Sequence, residues 1–490
     1  MTRRLLSASL LILLIVMLCG STVLAGGWQY SAVGARAKGL AGAYRALSDD
    51  WSGIYYNPAG LAYLNSNIWN VSAETSTPRP EVEPNFLLGD YEVGYLDGQT
   101  RYPHDQTMLW GMSSIVVKPD VAGPFAFGGS VYQAFDHNSD MNLFYLRQSY
   151  STKSTMPERN HLSNFDVIAF HPAIAMKFSE DRLAIGLGLP VYRGDMWIDQ
   201  VRLVDNPYDY VLDVRPYEYF PKLYEVDGYG YGIGFNFGLQ FRPNEKVSLG
   251  VSYTSKATMT LDGASSERVY LPYNQGIVNL YNDPSAKQDS LQTEIFTAFS
   301  GGMFESTSDF EMDLTIPSEF GFGVALQANE KWLLVADFAF TRWSEFEDLD
   351  IKISNRMFDR SVYPTWQKMF SDLYIPTEWE DKVKFSLGAE GVLNGTWTVR
   401  GGYMFDQSPV PDETFSQLFM DTGTKHHLTL GARFNLDESI YFEGAVEGVF
   451  GAERTIDTAL DVDGDGFYDN LPGTYSNKSF SSTWAFNYRF

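Results

Sequence analysis

The chain has 490 residues, with 61 Asp and Glu against 36 Lys and Arg, and a single cysteine, Cys19. Its net charge of −25 argues against a nucleic-acid partner, because nucleic acids are bound by basic surfaces. One cysteine excludes a disulfide framework.

The first 25 residues have the features of a secretory signal peptide. Arg3 and Arg4 precede an uncharged apolar run over residues 10–19, and a small-residue cleavage site ends at Ala25. The apolar run is too short to cross a bilayer. We predict a signal peptide over residues 1–25 and a mature chain with a net charge of −27 and no cysteine, which leaves no thiol for catalysis or metal binding.

Residues 34–64 are rich in small side chains and lack the two-residue alternation found in the rest of the chain. Glycine and alanine at this density allow close backbone contacts but bury little apolar area, so the segment needs walls around it. Asn57-Pro58 marks a turn within it. We predict an N-terminal hatch over residues 26–66 that fills the lumen of a barrel. The alternative is an ordinary loop before the first strand.

From residue 67 onward, the sequence contains fourteen segments with the length and alternation of tilted membrane strands. From residue 228 to residue 241, for example, large apolar side chains occupy the odd positions and glycine, Asn or Gln the even ones. The segments are 67–76, 107–117, 124–135, 164–178, 181–191, 228–242, 245–256, 317–328, 331–343, 383–393, 396–405, 425–435, 438–450 and 480–490.

The connections between these segments alternate between short and long. The short ones have six residues or fewer, whereas the longest covers residues 257–316. A soluble β-sandwich is not expected to alternate short and long connections. An outer-membrane barrel does, because it has short periplasmic turns, long external loops and an even number of strands. The predicted fold is therefore all-β: a 14-stranded antiparallel transmembrane barrel over residues 67–490, with both termini in the periplasm.

The last strand ends in alternating aromatic residues, which are Trp484, Phe486, Tyr488 and Phe490. This pattern is similar to the assembly signal of outer-membrane barrels. We therefore expect the barrel assembly machinery and outer-membrane lipid as partners, and a monomeric protein.

Three blocks of sequence resemble the FadL/TodX family of outer-membrane channels for long-chain fatty acids and hydrocarbons. They are Ser48-Asp49-Asp50 with Asn57-Pro58-Ala59, residues 337–346 and residues 403–412. The resemblance implies a hatch-plugged barrel that delivers hydrophobic small molecules sideways into the membrane by diffusion. It implies hatch or gating roles for Asp49, Asp50, Asn57, Pro58 and Ala59. A sister group that includes secretion-system shuttles is the alternative, with a shuttle or surface-attachment function; the block over 403–412 favours the transporters.

Two neighbouring strands contain residues that weaken strand pairing. Gly128-Gly129 predicts a bulge or a close backbone approach. It also resembles the strand whose inward kink forms the lateral opening in the family. Pro172 of His171-Pro172 cannot donate to the ladder, and the pattern of alternation shifts across it. These residues predict a lateral exit; a device that only curves the wall is the alternative.

Polar side chains at the strand positions predicted to face the lumen offer a candidate ligand site. Arg400, Arg433 and His427 occupy such positions, together with several glutamates. A cation there can hold a carboxylate headgroup, or the charges can cancel one another in a ladder.

Two loop segments have the spacing of amphipathic helices. One contains Leu291, Ile295, Phe296 and Phe299, and the other contains Trp366, Met369, Phe370 and Leu373. They predict either a groove for capture of a hydrophobic ligand or packing against the barrel rim.

One acidic loop has calcium-loop spacing at Asp461, Asp463, Asp465 and Asp469. Pro472 occupies position 12 in place of a bidentate glutamate, so any bound Ca²⁺ would be held weakly. A solvated acidic loop is the alternative, and no other cofactor is expected.

The sequence offers little support for an enzyme. A hydrolase would need a serine and a histidine within hydrogen-bond distance. Only His171, His426 and His427 lie in predicted strands, and no nucleophile motif accompanies them. We predict no enzymatic activity.

Overall fold

The computed structural model describes residues 28–84, 108–120, 123–141, 161–178, 182–208, 219–285, 289–359, 363–416, 418–421, 423–464 and 468–490. The predicted signal peptide, with Cys19, lies outside these residues. No helix among them is both long enough and apolar enough to cross a membrane.

The described residues form five α-helices, two 3₁₀ helices and 23 strands. The helices are α1 (Ala35–Gly39), α2 (Gly53–Tyr56), α3 (Gln275–Tyr281), α4 (Ser290–Ala298) and α5 (Pro364–Gln367), with 3₁₀ helices at Pro58–Tyr63 and Trp343–Glu345. The strands are β1 (Ile68–Pro78), β2 (Glu81–Pro84), β3 (Met108–Val117), β4 (Phe125–Met141), β5 (His161–Phe178), β6 (Leu183–Gly188), β7 (Val191–Asp205), β8 (Tyr219–Ile233), β9 (Asn236–Asn244), β10 (Val247–Thr254), β11 (Ala257–Tyr270), β12 (Met303–Ile316), β13 (Glu319–Gln327), β14 (Trp332–Thr341), β15 (Leu349–Phe358), β16 (Leu373–Ile375), β17 (Lys382–Val392), β18 (Trp397–Asp406), β19 (Lys425–Asn435), β20 (Ile440–Gly451), β21 (Arg454–Ile456), β22 (Gly473–Ser476) and β23 (Lys478–Arg489).

Most of these strands form a closed antiparallel barrel. Strand β1 pairs with both β3 and β23, which closes the ring. Four barrel strands are each built from two consecutive segments, namely β6–β7, β8–β9, β10–β11 and β12–β13, so the ring has fourteen strands in all. The predicted fourteen-stranded antiparallel barrel is confirmed.

The two ends of the barrel differ. At one end, called the short-turn end below, adjacent strands such as β17 and β18 are joined by a few residues. At the other, the long-loop end, several strands run far beyond their predicted limits. Strands β11 and β12, for example, fill much of the predicted loop over 257–316. Here the apolar side chains face inward, with Leu261 buried and Asp262 exposed, so the outward apolar pattern used for the prediction is absent.

Large apolar side chains cover the outward face elsewhere on the barrel wall. Tyr231, Phe235, Phe237, Phe322, Phe385 and Leu387 are each at least 40% exposed. This apolar belt is the surface that a membrane-embedded barrel presents to lipid.

The N-terminal segment, residues 28–66, is almost entirely buried. Val33, Leu40, Tyr44, Ile54 and Leu61 have no measurable exposure. Helix α1 contacts β18, β19, β20 and β23, whereas the 3₁₀ helix after Asn57 contacts β5, β6 and β9. Contacts with strands on different sides of the ring place this segment within it.

A second apolar cluster lies at the long-loop end. Phe299, which caps α4, is buried there with Phe220 and Trp366, whose rings stack at 5.8 Å. On α4, Leu291 is exposed, while Ile295 packs against the cluster and Phe296 stacks on Tyr281 at 4.1 Å. The predicted helix through Leu373 is wrong: α5 ends at Gln367, and Leu373 begins β16 because it pairs with β15.

Candidate functional site

Glycines on the barrel wall form a seat for the turn at Asn57. Gly186 and Gly238 lie opposite each other on β6 and β9. A Cβ atom at Gly186 would lie 2.3 Å from the Ala59 nitrogen, and one at Gly238 would lie 2.1 Å from Asn57 Oδ1. Both glycines are therefore required for the close approach of this turn to the wall.

Hydrogen bonds from Asn57 secure the turn. Its Nδ2 donates to the carbonyl oxygens of Arg45 at 2.8 Å and Leu239 at 3.1 Å. Its Oδ1 accepts a bond from the Ala59 nitrogen at 3.2 Å, which caps the 3₁₀ helix that Pro58 begins. Asn57 thus joins two parts of the N-terminal segment to β9.

Asp337 on β14 is the main acidic anchor of the segment. Its Oδ2 accepts hydrogen bonds from the backbone nitrogens of Tyr44 at 3.0 Å and Arg45 at 2.9 Å. The Arg45 guanidinium also lies 3.5 Å from Asp337 and forms an ion pair with Glu319 on β13. All three ion-pairing side chains are largely buried.

A second anchor lies nearer the short-turn end. Arg36 forms ion pairs with Asp49 at 2.7 Å and with Glu390 at 2.9 Å. Burial alone would raise the pKa of Asp49, but the Arg36 guanidinium outweighs it and holds this pKa below its ordinary value, so Asp49 remains ionised. Asp50 instead accepts bonds from the Ser52 nitrogen and hydroxyl at 2.8 and 2.6 Å, which shape the turn before α2.

A third anchor is the Lys38 ammonium, which lies between Glu74 on β1 and Glu447 on β20. Burial acts to lower the pKa of Lys38, but the two carboxylates outweigh it and raise the pKa above its ordinary value. The segment is therefore held by charged groups on several different strands.

The predicted headgroup cations are already engaged. Arg400 lies 2.6 Å from Glu390 and 2.9 Å from Glu443, and His427 Nδ1 lies 2.8 Å from Glu447. Arg433 sits at the short-turn end with its guanidinium 3.7 Å from the Tyr441 ring centroid. The Arg400 and His427 side chains thus already bond to glutamates within the protein.

The barrel wall is interrupted between β3 and β4. Their pairing begins with Val117 opposite Phe127 and ends with Ser113 opposite Val131. Among the described residues, no backbone pairing joins the rest of β3 to β4 beyond this point. Instead, β4 pairs with the N-terminal segment: Ala134 O accepts from the Tyr30 nitrogen at 3.4 Å, and the Asp136 nitrogen donates to Trp28 O at 3.1 Å.

The interruption does not lie at the predicted residues. Gly128 and Gly129 pair regularly with both neighbouring strands, and the bulge in β4 lies between Gln133 and Phe135. Gly128 instead makes a close approach, since a Cβ atom there would lie 2.8 Å from Ile54 Cδ1.

The predicted shift in parity at His171-Pro172 is also wrong. Alternate residues of β5 remain buried on both sides of it. The His171 side chain faces inward and contacts the Tyr132 hydroxyl at 2.9 Å, while Pro172 O accepts a bond from Leu189. The strand itself is interrupted in the next part of the barrel wall, at residues 189–190 between β6 and β7, where Pro190 has no N–H to donate.

An aromatic cluster lies inside the barrel beside the interruption between β3 and β4. Trp28 is at its centre, with ring centroids 5.0 Å from Phe135, 6.0 Å from Phe165, 5.8 Å from Phe346 and 6.2 Å from Phe419. Its indole nitrogen is buried and has no hydrogen-bond partner among the described residues. The cluster is a packed group of buried side chains that includes Trp28, the first described residue.

Sequence reasoning missed Trp28, Phe419 and Asp136. Trp28 closely follows the predicted cleavage site, which is a weak signal. The other two lie in segments that were predicted as long connections, so nothing local distinguished them.

The acidic loop brings three of its four predicted ligands together. One carboxylate oxygen from each of Asp461, Asp463 and Asp469 lies within 4.8 Å of the others. Asp465 lies outside the described residues. Backbone nitrogens already bond to these carboxylates, including that of Gly464 to Asp461 at 2.7 Å.

Comparisons with known proteins agree with this architecture. The chain is 23% identical over 223 residues to the long-chain fatty acid transport protein of Salmonella typhi, which covers 45% of this chain and 43% of that protein. It is 22% identical over 231 residues to a 47 kDa outer membrane protein of Pasteurella multocida, covering 47% and 46% of the two chains. These matches thus span less than half the length of the curated relatives.

Two solved structures share the fold over almost their whole length. A Pseudomonas aeruginosa FadL homologue superimposes with a TM-score of 0.71 at 17% identity, covering 95% of this chain and 100% of that chain. The toluene transporter TodX of P. putida gives a TM-score of 0.67 at 14% identity, covering 94% and 99%.

The family described as outer membrane protein transport protein (OMPP1/FadL/TodX) matches residues 16–490. Its members are transport channels and not enzymes, as the sequence predicted. With a closed fourteen-stranded barrel and a match over nearly its full length, the chain belongs to the OMPP1/FadL/TodX family of outer-membrane transport proteins.

Proposed function

We propose that this protein is a passive outer-membrane channel that takes up hydrophobic small molecules and releases them sideways into the membrane between β3 and β4. The observation that carries this proposal is the departure of β4 from β3 to pair with Trp28 and Tyr30 of the N-terminal segment. The proposed exit therefore lies beside the aromatic cluster around Trp28.

A sideways exit suits a hydrophobic ligand for a simple physical reason. Release through the short-turn end would bring the ligand into water, at the cost of re-exposing its apolar surface. An opening in the wall leaves backbone groups unpaired, which costs several kcal/mol per group in lipid unless something covers them. Here the backbone of Trp28 and Tyr30 covers part of β4.

The N-terminal segment acts in this proposal as a hatch. Ion pairs to Asp337, Glu390 and Glu447 hold it against the wall, and the glycine seat positions its Asn57 turn. A ligand entering the aromatic cluster must displace Trp28, whose backbone is bonded to β4. Ligand entry and exposure of the exit are thereby linked.

Uptake of two radiolabelled ligands tests this function. Bacterial cells that lack their own channel of this kind would express the protein and receive either oleate or toluene. We expect uptake of at least one ligand above the level in cells with an empty vector. If neither ligand is taken up although the barrel is present at the surface, the result would contradict transport and favour the secretion-shuttle or surface-attachment alternative.

We further propose that the short-turn end and both termini face the periplasm. A protease-cleavable tag after Asp283, between α3 and α4, should then be cut on intact cells. The same tag in the turn between β9 and β10, at Glu245, should be cut only after the outer membrane is permeabilised. Cleavage of the Glu245 tag alone on intact cells would reverse the orientation.

A further inference from the structure

We propose that the barrel has a second binding site at its short-turn end, which takes an amphipathic anion: a small molecule with a carboxylate or phosphate head and an alkyl tail. This site shares no lining residue with the aromatic cluster around Trp28, and it does not depend on the proposed lateral release.

The site is a cavity between the N-terminal segment and the short turns. Its volume is about 820 Å³, and small-molecule sites commonly have volumes of about 300–1,000 Å³. Residues 36, 46, 47 and 49 of the N-terminal segment contribute to its lining. The rest of the lining comes from the turns that follow β5, β9 and β13, from the strand ends beside them and from the end of β17.

Cations dominate the charge of this cavity, although the chain as a whole is strongly acidic. Two of the carboxylates in its lining, Asp49 and Glu390, are already ion-paired with Arg36. One carboxylate, Glu245, remains in the lining with four further cations. These cations are Arg182, Arg242, Lys246 and Lys331. Among the described residues, none of the four side chains forms an ion pair.

Arg242 is the cation of this set that the fold holds in place. Its guanidinium lies 3.6 Å from the Tyr63 ring centroid, and this stacking restrains the side chain without neutralising its charge. Arg242 interacts electrostatically with Asp49, but that carboxylate already forms an ion pair with Arg36 at 2.7 Å. The planar guanidinium matches the geometry of a carboxylate or phosphate head.

The other three cations are exposed and come from different turns. Arg182 precedes β6, Lys246 precedes β10 and Lys331 precedes β14. These turns follow one another around the ring, because β6 pairs with β9 and β10 pairs with β13. One exposed cation contributes little to binding an anion, whereas several around one cavity attract it together.

Apolar side chains in the same cavity suit an alkyl tail. They are Leu47, Val247, Leu333 and Val392. Transfer of an alkyl chain from water to such a surface is favourable. An inorganic anion would use only the cations, and a neutral alcohol only the apolar side chains, so a molecule with both parts fits this cavity best.

Equilibrium dialysis of the purified protein in a non-ionic detergent tests the site. The radiolabelled probes are octyl phosphate and octanoate, which distinguish the two heads, with 1-octanol and inorganic phosphate as the tail and the head alone. Binding to protein-free micelles is subtracted. We expect octyl phosphate, octanoate or both to bind about tenfold more tightly than 1-octanol and inorganic phosphate, and to bind more weakly as salt is added.

Two variants locate the bound anion. Arg242→Gln and the double variant Lys246→Gln/Lys331→Gln should each weaken binding of the amphipathic anion by about tenfold. The double variant changes only exposed side chains, so it keeps the test valid if Arg242→Gln does not assemble. The matched control is Lys256→Gln/Lys352→Gln, which removes two exposed lysines outside the cavity and should leave binding unchanged.

Binding of neither amphipathic anion would overturn the inference. It would also be overturned if 1-octanol or inorganic phosphate bound equally tightly, or if the affinity were unchanged in the assembled double variant. Because the assay measures binding and not uptake, each of these results would leave the proposed transport function standing.

Discussion

A reducible cross-link between β3 and β4 at Gly111 and Gln133 is expected to stop ligand uptake while oxidised and to restore it on reduction. Continuing the observed register upward from Ser113–Val131 places Gly111 opposite Gln133. A disulfide at this level would hold the two strands together and close the proposed exit. Since the only native cysteine, Cys19, lies in the predicted signal peptide, the mature double-cysteine variant would contain no other thiols.

Uptake should fall by about tenfold or more on oxidation, because a ligand would have to separate strands joined by several hydrogen bonds. A cysteine pair at Ile115 and Gly129 provides the matched control. These residues are already opposite each other below the interruption, so their cross-link should leave uptake unchanged.

The disulfide itself is checked by its effect on migration in gels before and after reduction. Normal uptake by the oxidised Gly111–Gln133 variant would contradict lateral release at this site. If that disulfide does not form, deletion of Ala134, the extra residue in the β4 bulge, should straighten the strand and reduce uptake instead.

Substitution of Asp337 by alanine is expected to loosen the N-terminal segment and open the lumen to polar solutes. The change removes the acceptor for two backbone nitrogens, those of Tyr44 and Arg45, and one ion-pair partner of Arg45. Breaking one side of a buried ion pair costs about 3–5 kcal/mol. A loss of that size would raise the population of an opened segment by a factor on the order of 10²–10⁴.

Single-channel conductance in planar bilayers measures the opening directly. The wild-type protein should conduct little, and Asp337→Ala should show frequent open events. Asp313→Ala is the control, since Asp313 is exposed on the outward face of β12, where its carboxylate accepts a hydrogen bond from the Thr260 hydroxyl at 2.7 Å. An assembled Asp337→Ala variant with wild-type conductance would show that this anchor does not keep the lumen closed.

The fold could be predicted because its signals are local. Alternation in residues 228–242 and the short links between strands depend on neighbouring residues only, and they specify a barrel wall without reference to the rest of the chain. The same reasoning placed Arg400 and His427 on the inward face, where the structure has them. It underestimated β11 and β12 because their apolar side chains change from outward to inward at the long-loop end.

The state of the inward charges required the tertiary structure. Parity alone left Arg400 as either a headgroup site or part of a charge ladder. Glu390 on β17, which pairs with β18, and Glu443 on β20, two strands away from β18, decide the matter because both carboxylates lie within ion-pair distance of Arg400.

The sequence by itself therefore determined the fourteen-stranded barrel, the inward positions of Arg400 and His427 and the turn at Asn57. Only the tertiary structure decided where the wall is interrupted. Gly128 and Gly129 carried the local signal, yet both pair normally. The interruption lies farther along β4, because its backbone groups can bond either to β3 or to Trp28 and Tyr30, and the N-terminal segment provides the partner that the structure selects. Competition between partners so distant in sequence leaves no local pattern to read.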